Sequence, residues 1–243
     1  LNVTLVSEPG MPAGTRLLVA GPLALNLTWK PPANFGLGDG VPYPLLKYQY
    51  SVYTDAEAGP DSGTITDRNI NEARKVLLTS LTQGLVHYVS VRAQNDAADF
   101  GGFGPWHNVS ETECNASLAY NRSGPCGVMA IGLPSAAVGF TVTEYGPVLE
   151  ANWSSPLDTG AGDSSYPLLP YKLEVSGNSG VESFYIDGSA LAFSWSAGVA
   201  GSTYAVRIRP ENPAGIGAWS PSLPFTALGF PSAPIRGGFD VDA

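Results

Sequence analysis

Side chains that could carry acid–base or nucleophilic chemistry are scarce in this chain of 243 residues. The only histidines are His87 and His107, and the only cysteines are Cys114 and Cys126. No Gly-x-Ser-x-Gly elbow, His-Glu-x-x-His pair or phosphate-binding glycine loop accompanies them, so no motif sets a nucleophile beside a base. The sequence therefore predicts a protein that is not an enzyme, with no catalytic residues, no cofactor and no metal site.

Carboxylates recur at two places where calcium binding has to be considered. Asp240 and Asp242 alternate in FDVDA, but no ligand-rich loop surrounds them, so we interpret them as exposed strand residues. Asp39 and Asp163 stand in GLGDG and GAGDSS, which are two loops of the same kind. Because the carboxylate recurs with its loop, a shared turn or Asx role is favoured over metal binding.

The two cysteines enclose CNASLAYNRSGPC, a polar segment with little to bury. Closing a loop of this size with a disulfide stabilises the fold by on the order of 3 kcal/mol in the chain-entropy treatment. Two free thiols in a reducing cell are the alternative, and a zinc site is disfavoured by the spacing and by the shortage of histidine. The segment thus predicts a Cys114–Cys126 disulfide and an oxidising compartment.

Asn-x-Ser/Thr sequons are more frequent than the composition predicts. Roughly two would arise by chance, whereas the chain holds six, and each is an acceptor motif for N-glycosylation. They begin at Asn2, Asn26, Asn108, Asn115, Asn121 and Asn152. Together with the cysteines they predict an extracellular or cell-surface glycoprotein.

The overall charge and composition exclude several classes of protein. Lys and Arg total 12 and Asp and Glu total 21, for a net charge of −9, so the chain repels phosphate backbones and nucleic acid is a poor partner. No apolar run approaches the ~18 residues of a membrane span, so direct membrane insertion is not expected. Glycine and proline make up about a fifth of the chain, which is typical of many short strands joined by turns.

Several segments of the chain occur twice, beginning with two strands that contain Trp. ALNLTWKPP at 24–32 and VLEANWSSP at 148–156 each alternate toward a Trp and then reach Pro. Alternate residues of a strand share a face, so the apolar residues should face inward and Asn26 and Asn152 outward. The inward residues are Leu25, Leu27 and Trp29 in one segment and Leu149, Ala151 and Trp153 in the other.

Further phrases are repeated downstream. YPLLKYQYSV at 43–52 matches YPLLPYKLEV at 166–175, and both alternate as half-buried strands. The frame Gly-x-x-[His/Tyr]-x-Val-x-[Val/Ile]-x-x-x-Asn holds in 84–95 and in 201–212, and a glycine-rich turn with a Trp follows each. No stretch offers a convincing amphipathic helix, so the chain is predicted to be all-β, with two antiparallel β-sandwiches in tandem.

These motifs resemble the fibronectin type III domain family over nearly the whole chain. The shared marks are a strand ending in Trp and then Pro, a Tyr-centred strand after a Pro turn, a Leu-x-x-Gly-x-x-Tyr corner, an Asn, and a Gly-x-Gly-x-Trp-Ser end. They are carried here by Trp29 with Pro31, Trp153 with Pro156, Tyr48, Tyr171, Gly84, Gly201, Asn95, Asn212, Trp106, and Trp219 with Ser220. The resemblance implies two tandem β-sandwiches of fibronectin type III type.

The first repeat departs from the family pattern at its corner. Tyr204 matches the corner tyrosine in the second repeat, but His87 takes that place in the first, and Tyr88, one step along, should face the other way. A structural histidine that hydrogen-bonds to the backbone is the expected role of His87, and a pH switch or a ligand role is the alternative.

The first repeat is also longer than the second. Trp29 and Trp153 are 124 residues apart, whereas Pro134 and Pro231 are 97 apart. Most of the excess lies near 107–127, which holds both cysteines and three of the six sequons. The sequence therefore predicts a disulfide-stapled insertion into or beside the last strand of the first repeat.

The repeats also set the predicted module limits. Residues 9–131 form a first fibronectin type III-like module and residues 132–228 a second. Residues 229–243 look like the start of a third module. Residues 1–8 look like the last strand of a preceding module or a strand exchanged with a neighbouring copy.

Aromatic residues in the turn ADFGGFGPW form a candidate contact patch. Phe100 and Phe103 beside Trp106 could be exposed and bind a partner, although packing of the loop on itself is the alternative. Trp106 and Trp219 could each stack on a sugar, but the matching family position implies that each packs over the edge of its own sandwich.

The repeats and the predicted modifications indicate a structural or adhesive segment of a long extracellular or cell-surface glycoprotein, with a filament or a cell coat as its concrete form. The expected partners are neighbouring modules, other copies of the protein, and other extracellular proteins or glycans. A ligand-binding receptor ectodomain and spacer modules of a secreted carbohydrate-active enzyme are the alternative functions.

Overall fold

The computed structural model describes residues 5–54, 61–66, 74–97, 102–109, 119–120, 126–196 and 198–229, and of 61–66 and 119–120 it describes the backbone only. The regular elements in these ranges are β-strands, numbered β1 to β18 in chain order and joined by turns. The prediction of an all-β chain, based on alternating apolar and polar residues, is therefore confirmed.

The first sandwich begins with a sheet of three antiparallel strands in the order β1-β2-β5. β1 (Ala13–Gly21) and β2 (Ala24–Lys30) form a hairpin, and β5 (Arg74–Leu78) pairs with the other edge of β2. The predicted inward row of β2 is at most 1% exposed, and it consists of Leu25, Leu27 and Trp29. Strict alternation in a strand with one buried face fixes this register.

The second sheet of this sandwich has the strand order β4-β3-β6-β9-β8, and β7 also pairs with β6. Its strands are β3 (Lys47–Thr54), β4 (Asp61–Thr66), β6 (Val86–Gln94), β7 (His107–Asn108), β8 (Ala119–Tyr120) and β9 (Gly127–Met129). β7 pairs with Ser90 and Val91 of β6, and β9 pairs with residues 86–88. The last strand of the first repeat is thus divided into two pieces on one partner strand.

The two sheets share one apolar core. Trp29 from the first sheet and Tyr48 from the second are both almost fully buried. Their ring centroids lie 5.5 Å apart with an angle of 63° between the planes. An edge-to-face aromatic pair of this kind contributes about 0.5–1.5 kcal/mol beyond the burial of its area.

The second sandwich repeats this arrangement. One sheet has the order β10-β11-β14, the other β13-β12-β15-β18, and β16 pairs with β17. The strands are β10 (Val138–Tyr145), β11 (Val148–Ser154), β12 (Tyr171–Gly177), β13 (Gly180–Ile186), β14 (Ala192–Trp195), β15 (Thr203–Arg209), β16 (Glu211–Asn212), β17 (Gly215–Ile216) and β18 (Leu223–Thr226). Trp153 and Tyr171 reproduce the first aromatic pair, with the same 5.5 Å separation and the same 63° angle.

The chain divides into two compact units. The first comprises Leu1–Pro134, Asp158–Tyr166 and Asn212–Gly215, and the second comprises Ser135–Leu157, Pro167–Glu211 and Ile216–Ala243. The module limits 9–131 and 132–228 stay predictions. The proposed start of a third module, 229–243, lies almost wholly outside the described residues.

A buried asparagine secures the loops at one end of the first sandwich. Asn95, which is 1% exposed, donates from Nδ2 to the carbonyl oxygens of Ser7 (2.7 Å) and Phe35 (2.9 Å). Its Oδ1 accepts from the backbone N–H of Ala97 at 3.0 Å. We call this set of bonds the asparagine clamp. It satisfies backbone groups that no strand ladder reaches.

The second repeat has the same clamp. Asn212 donates from Nδ2 to the carbonyl oxygens of Gly132 (2.8 Å) and Thr159 (2.9 Å), and its Oδ1 accepts from Ala214 N–H at 2.9 Å. The matching of Ser7 with Gly132 extends to the backbone, because Ser7 N–H donates to Gly36 O and Gly132 N–H to Gly160 O. Ser7 therefore bonds within its own chain. The assignment of residues 1–8 to a preceding or exchanged strand stays a prediction, since 1–4 lie outside the described residues.

A matched pair of glycine substitutions tests the clamp. A Cβ at Gly36 would collide with Asn95 Nδ2 and the Ser7 carbonyl oxygen, whereas a Cβ at Gly38 would meet no atom within 4 Å. Both positions have φ above +100°, so each alanine costs about 1–3 kcal/mol in backbone strain. Gly36→Ala also breaks buried hydrogen bonds, which adds about 1–3 kcal/mol for each group left unpaired.

We expect Gly36→Ala to lower the free energy of unfolding by at least about 2 kcal/mol more than Gly38→Ala, measured by urea unfolding of the full chain. Equal losses in the two variants would contradict the clamp as the interaction that secures this loop.

Candidate functional site

The candidate site lies on the outward face of β3 and β6, on the side away from the core of the first sandwich. Lys47 and Gln49 of β3 pair across the sheet with Gln94 and Arg92 of β6. The residues between them, including Tyr48, face the core instead. Period-two alternation therefore places two cations and two amides together on the outer face.

Arg92 is held between two aromatic rings. Its guanidinium carbon lies 4.1 Å from the ring centroid of Phe103 and 4.3 Å from that of Trp106. Nε and Nη2 donate to Oε1 of Gln49 at 2.8 and 2.6 Å, and Lys47 Nζ lies 5.4 Å from the Phe103 centroid. Cation–π contacts of this kind contribute from about 0.5 to 2 kcal/mol, depending on desolvation.

The second sandwich carries a related cluster of cations and a tryptophan, and this cluster also contains a carboxylate. The guanidinium groups of Arg207 and Arg209 lie 4.1 and 4.4 Å from the Trp219 centroid. Glu174, which corresponds to Ser51 of the first repeat, accepts two hydrogen bonds from Arg207 (3.0 and 2.7 Å). It also forms an ion pair with Lys172 (2.9 Å), the residue that corresponds to Gln49. Burial opposes ionisation of Glu174, but the bonds and charges of these two cations outweigh it and lower its pKa.

The presence of Glu174 on only the second face decides what each face can do. In the second sandwich a carboxylate partly neutralises the cations, whereas in the first the partner of Arg92 is a neutral amide. Burial lowers the pKa of Arg92, but a guanidinium stays charged at any physiological pH. The first face can therefore receive an anionic or planar group beside Trp106, which is 37% exposed.

The structure places the three residues of the sequence-predicted contact patch differently. Trp106 is exposed, and Phe103 is half-buried because Lys47 and Arg92 pack against its ring. Phe100 lies outside the described residues. Both tryptophans, Trp106 and Trp219, pack on arginines of their own sandwich. The role of these residues in binding stays a prediction.

The insertion in the first repeat leaves and rejoins the sheet at one point. Val109 N–H donates to Val89 O, and Cys126 N–H donates to Val109 O at 2.8 Å. Cys126 is 3% exposed and is not a free thiol. Cys114 lies outside the described residues, so its pairing with Cys126 stays a prediction.

Three of the six sequon asparagines fall within the described residues. Asn152 on β11 and Asn108 on β7 are exposed, and Asn108 accepts a hydrogen bond from Ser90 Oγ at 2.5 Å. Asn26 on β2 is half-buried, although its position in the strand faces outward as predicted. Asn2, Asn115 and Asn121 lie outside the described residues.

His87 and Tyr204 occupy equivalent places at the corner of each sandwich. Tyr204 Oη accepts the backbone N–H of Val199 at 2.9 Å. His87 is 4% exposed, its Nδ1–H donates to Leu85 O at 3.0 Å, and burial lowers its pKa. Tyr88 stacks on Tyr53 instead, with centroids 5.4 Å apart. His87 thus has the backbone bond expected of a structural histidine.

The Asx turns of the two glycine-rich loops are made by residues that the sequence analysis missed. Asn34 Oδ1 accepts from the N–H groups of Gly36 (2.7 Å) and Gly38 (3.1 Å). Asp158 Oδ1 does the same two and four residues on, at 2.7 and 3.0 Å. The shared frame [Asn/Asp]-x-Gly-x-Gly-Asp is visible in the sequence and was the signal for this pair.

The aspartates singled out in these loops have smaller roles. Asp163 Oδ1 accepts from Ser165 N–H at 2.8 Å, and bonds from Ser165 lower its pKa. Asp39 forms a β-bridge with Asn34 through the backbone. Asp240 and Asp242 lie outside the described residues.

Clefts and ionisable clusters give little indication of bound small molecules. Within the described ranges no group of three or more His, Cys, Asp or Glu could hold a metal ion. A cleft of about 580 Å³ lies beside residues 167–170 and 187–189, and another of about 430 Å³ beside residues 7–10. The first cleft is lined mainly by proline and leucine, and the second by proline, glycine and a few polar side chains. No helix in the described part of the chain is long and apolar enough to cross a membrane.

Comparison with known proteins identifies the fold. No family model and no curated protein matches the chain. A crystal structure of the FN1–FN3 domains of chicken contactin-1 (CNTN1) is similar, with a TM-score of 0.52 and 13% sequence identity, over 92% of this chain and 68% of that one. The fold is that of fibronectin type III domains. At 13% identity this likeness concerns the fold alone, and it confirms the resemblance drawn from the repeated motifs.

Because His87 is buried, we expect the stability of the first fibronectin type III-like sandwich to depend on pH. The folded-state pKa of His87 lies below the ordinary value of 6.5, so the unfolded chain binds a proton more readily than the folded one as the pH falls below that value. The stability present above pH 6.5 is therefore lost as the pH falls toward and through the folded-state pKa.

We expect the urea midpoint to drop between about pH 7.5 and pH 5.5, and the drop to be smaller in His87→Gln. His107→Gln is the matched control, because His107 is half-exposed on β7, and it should keep the full drop. An unchanged drop in His87→Gln would assign the pH dependence to other groups.

Proposed function

We propose that this chain is a structural or adhesive segment of a long extracellular or cell-surface glycoprotein, and that it does not act as an enzyme. The observation that carries the proposal is the repetition of one fibronectin type III-like core in a single chain. The aromatic pair and the asparagine clamp recur in both repeats, whereas the outward residues differ.

The parts of the fold that are repeated are the apolar cores. Each sandwich has its own apolar core, and burial of that apolar area is the main favourable contribution to its folding. Repeated cores in series serve to space and display surfaces. The outward faces then carry whatever contacts the protein makes.

Composition supports an extracellular setting for this proposal. The chain has six sequons and two cysteines enclosing a polar segment. The net charge of −9 favours solubility over binding to nucleic acid. Assembly into a filament or a cell coat is the concrete form we propose, with neighbouring modules and other copies of the protein as partners.

Protein purified from its native source tests the proposal directly. We expect electron microscopy to show ordered filaments or coat fragments. We also expect mass spectrometry, with and without reduction and glycosidase treatment, to show modified sequons and paired cysteines. A dispersed monomer at high concentration, with unmodified asparagines and free thiols, would contradict the proposal.

Ligand recognition is a second candidate function, favoured by one feature of the first sandwich. Arg92 is fixed between two rings and has no carboxylate partner among the residues that the structure describes, and the exposed Trp106 lies beside it. This combination suits an acidic sugar, whose ring can stack on Trp106 while its charge meets Arg92. The insertion begins on the adjacent β7 and could extend the contact.

A glycan array of acidic and neutral sugars distinguishes this second function. If the first sandwich recognises acidic sugars, Trp106→Ala should reduce binding by about tenfold or more, since loss of a stacked ring costs ~1–3 kcal/mol. Trp219→Ala in the second sandwich is the matched control and should keep full binding. Equal binding by the two variants and the unaltered protein would exclude this face as the recognition site.

A further inference from the structure

The outward face of the β1-β2-β5 sheet carries an apolar pair that nothing in the described part of the chain covers. Leu18 pairs with Asn26 across β1 and β2, and Asn26 pairs with Leu77 across β2 and β5. Residues directly opposite one another in antiparallel strands project to the same side. The two leucines therefore flank the asparagine on the outer face, and they are 38% and 55% exposed.

The apolar pair is confined to this one row. In the next row of the same face, Arg16 pairs with Thr28, and Thr28 pairs with Lys75. Both cations are exposed. Leu18 and Leu77 are thus a local apolar patch bordered by charge, with a sequon asparagine between them.

The side chain of Asn26 is oriented within this row. The residue is half-buried, and its Oδ1 is enclosed without a hydrogen-bond partner. Because Oδ1 has no partner to hold it, attachment of a sugar requires only that Nδ2 faces the open side between the leucines. Nδ2 is the atom that carries the sugar in an N-linked glycan.

The second sandwich carries a sequon asparagine on the corresponding face, one row away from the position of Asn26. This residue, Asn152, corresponds to Thr28 and lies in the central strand of a three-stranded sheet, where it pairs with Thr141 and Ala192. It is exposed. A glycan there would meet the small side chains of Thr141 and Ala192 instead of two leucine side chains.

We propose that Asn26 carries an N-linked glycan whose first sugar residue lies across Leu18 and Leu77 and forms part of the folded surface, whereas a glycan on Asn152 extends into solvent. The proposal rests on the extracellular setting proposed above. In the attachment reaction Nδ2 of Asn26 forms a bond to C1 of the sugar and loses a proton. The bond from C1 to the pyrophosphate-linked lipid that donates the sugar breaks, and that carrier leaves.

The glycan on Asn26 is expected to stabilise the folded state because it buries apolar area. The CH faces of an N-acetylglucosamine ring and its acetyl methyl group can cover the two leucines, and removing such area from water stabilises the folded state. The sugar attaches between the leucines, so little chain entropy is lost on contact. Covering part of the pair should raise the ratio of folded to unfolded protein by about tenfold.

The test compares two isosteric sequon deletions in the full chain. Thr28→Val and Ser154→Ala remove the sequons of Asn26 and Asn152 but leave both asparagines in place. Each variant and the unaltered chain are produced through a eukaryotic secretory pathway, trimmed to a single N-acetylglucosamine, and unfolded in urea. The same proteins made without glycans in bacteria report the effect of each substitution alone.

We expect Thr28→Val to lower the folded-to-unfolded ratio by about tenfold in the glycosylated protein beyond its effect in the unglycosylated one. Ser154→Ala should show no such excess. Nuclear Overhauser contacts between the acetyl methyl group at Asn26 and the methyl groups of Leu18 and Leu77 should be present, and Leu18→Ser with Leu77→Ser should remove the stabilisation.

Three outcomes would overturn the inference. They are absence of glycan on Asn26 in the secreted chain, absence of the Overhauser contacts, and an equal excess effect for the two deletions. Peptide mapping of protein from its natural source answers a separate question, namely whether the native protein is glycosylated. An unmodified native protein would refute the proposed function, while contact of the recombinant glycan with the leucines is decided by the measurements above.

Discussion

A buried asparagine that bonds to two backbone carbonyl groups is the interaction on which the loops of each sandwich depend. Asn95 and Asn212 reach carbonyl oxygens that no strand pairs with. Their amide groups have the two donors and the acceptor that this place requires. Because a backbone group buried without a partner is costly, the same side chain at both places forces the same loop conformation. Gly36 and Gly160 then have to be glycine, since a Cβ at either position would collide with Nδ2 of the clamp asparagine.

The two sandwiches differ where no such constraint acts. The core pairs Trp29–Tyr48 and Trp153–Tyr171 share one geometry, because close packing allows few alternatives. On the outer faces Ser51 stands where the second sandwich has Glu174. Leu18 and Leu77 beside Asn26 stand where it has Thr143 and Ser194 beside Glu150. These positions lie outside the two cores, so they are the positions at which repeats of one fold can acquire separate contacts.

The strands and their inward faces could be predicted from the sequence, since alternation of apolar and polar residues reports burial directly. The partners of Asn95 could not, because Ser7 and Phe35 are 88 and 60 residues away along the chain. Trp106 was assigned to a candidate contact patch, and packing over the edge of its own sandwich was its expected role. The packing of Phe103 against Arg92 and Lys47 depends on how a turn folds back over β6, and no periodicity records it. The Asx turns at Asn34 and Asp158 could have been predicted from their shared frame. The sequence analysis instead assigned the turn role to Asp39 and Asp163 in the same loops.

The division of the last strand of the first sandwich has a consequence for how this protein can vary. Val109 and Cys126 are joined by a backbone hydrogen bond, so the two ends of the insertion lie at neighbouring points of the sheet. The register of β7 and β9 is set by their own pairing with β6. A change of length or sequence between β7 and β8 consequently leaves these pairings in place. The fold thereby provides a cassette position, at which evolution or an engineer can graft a new loop onto an unaltered scaffold.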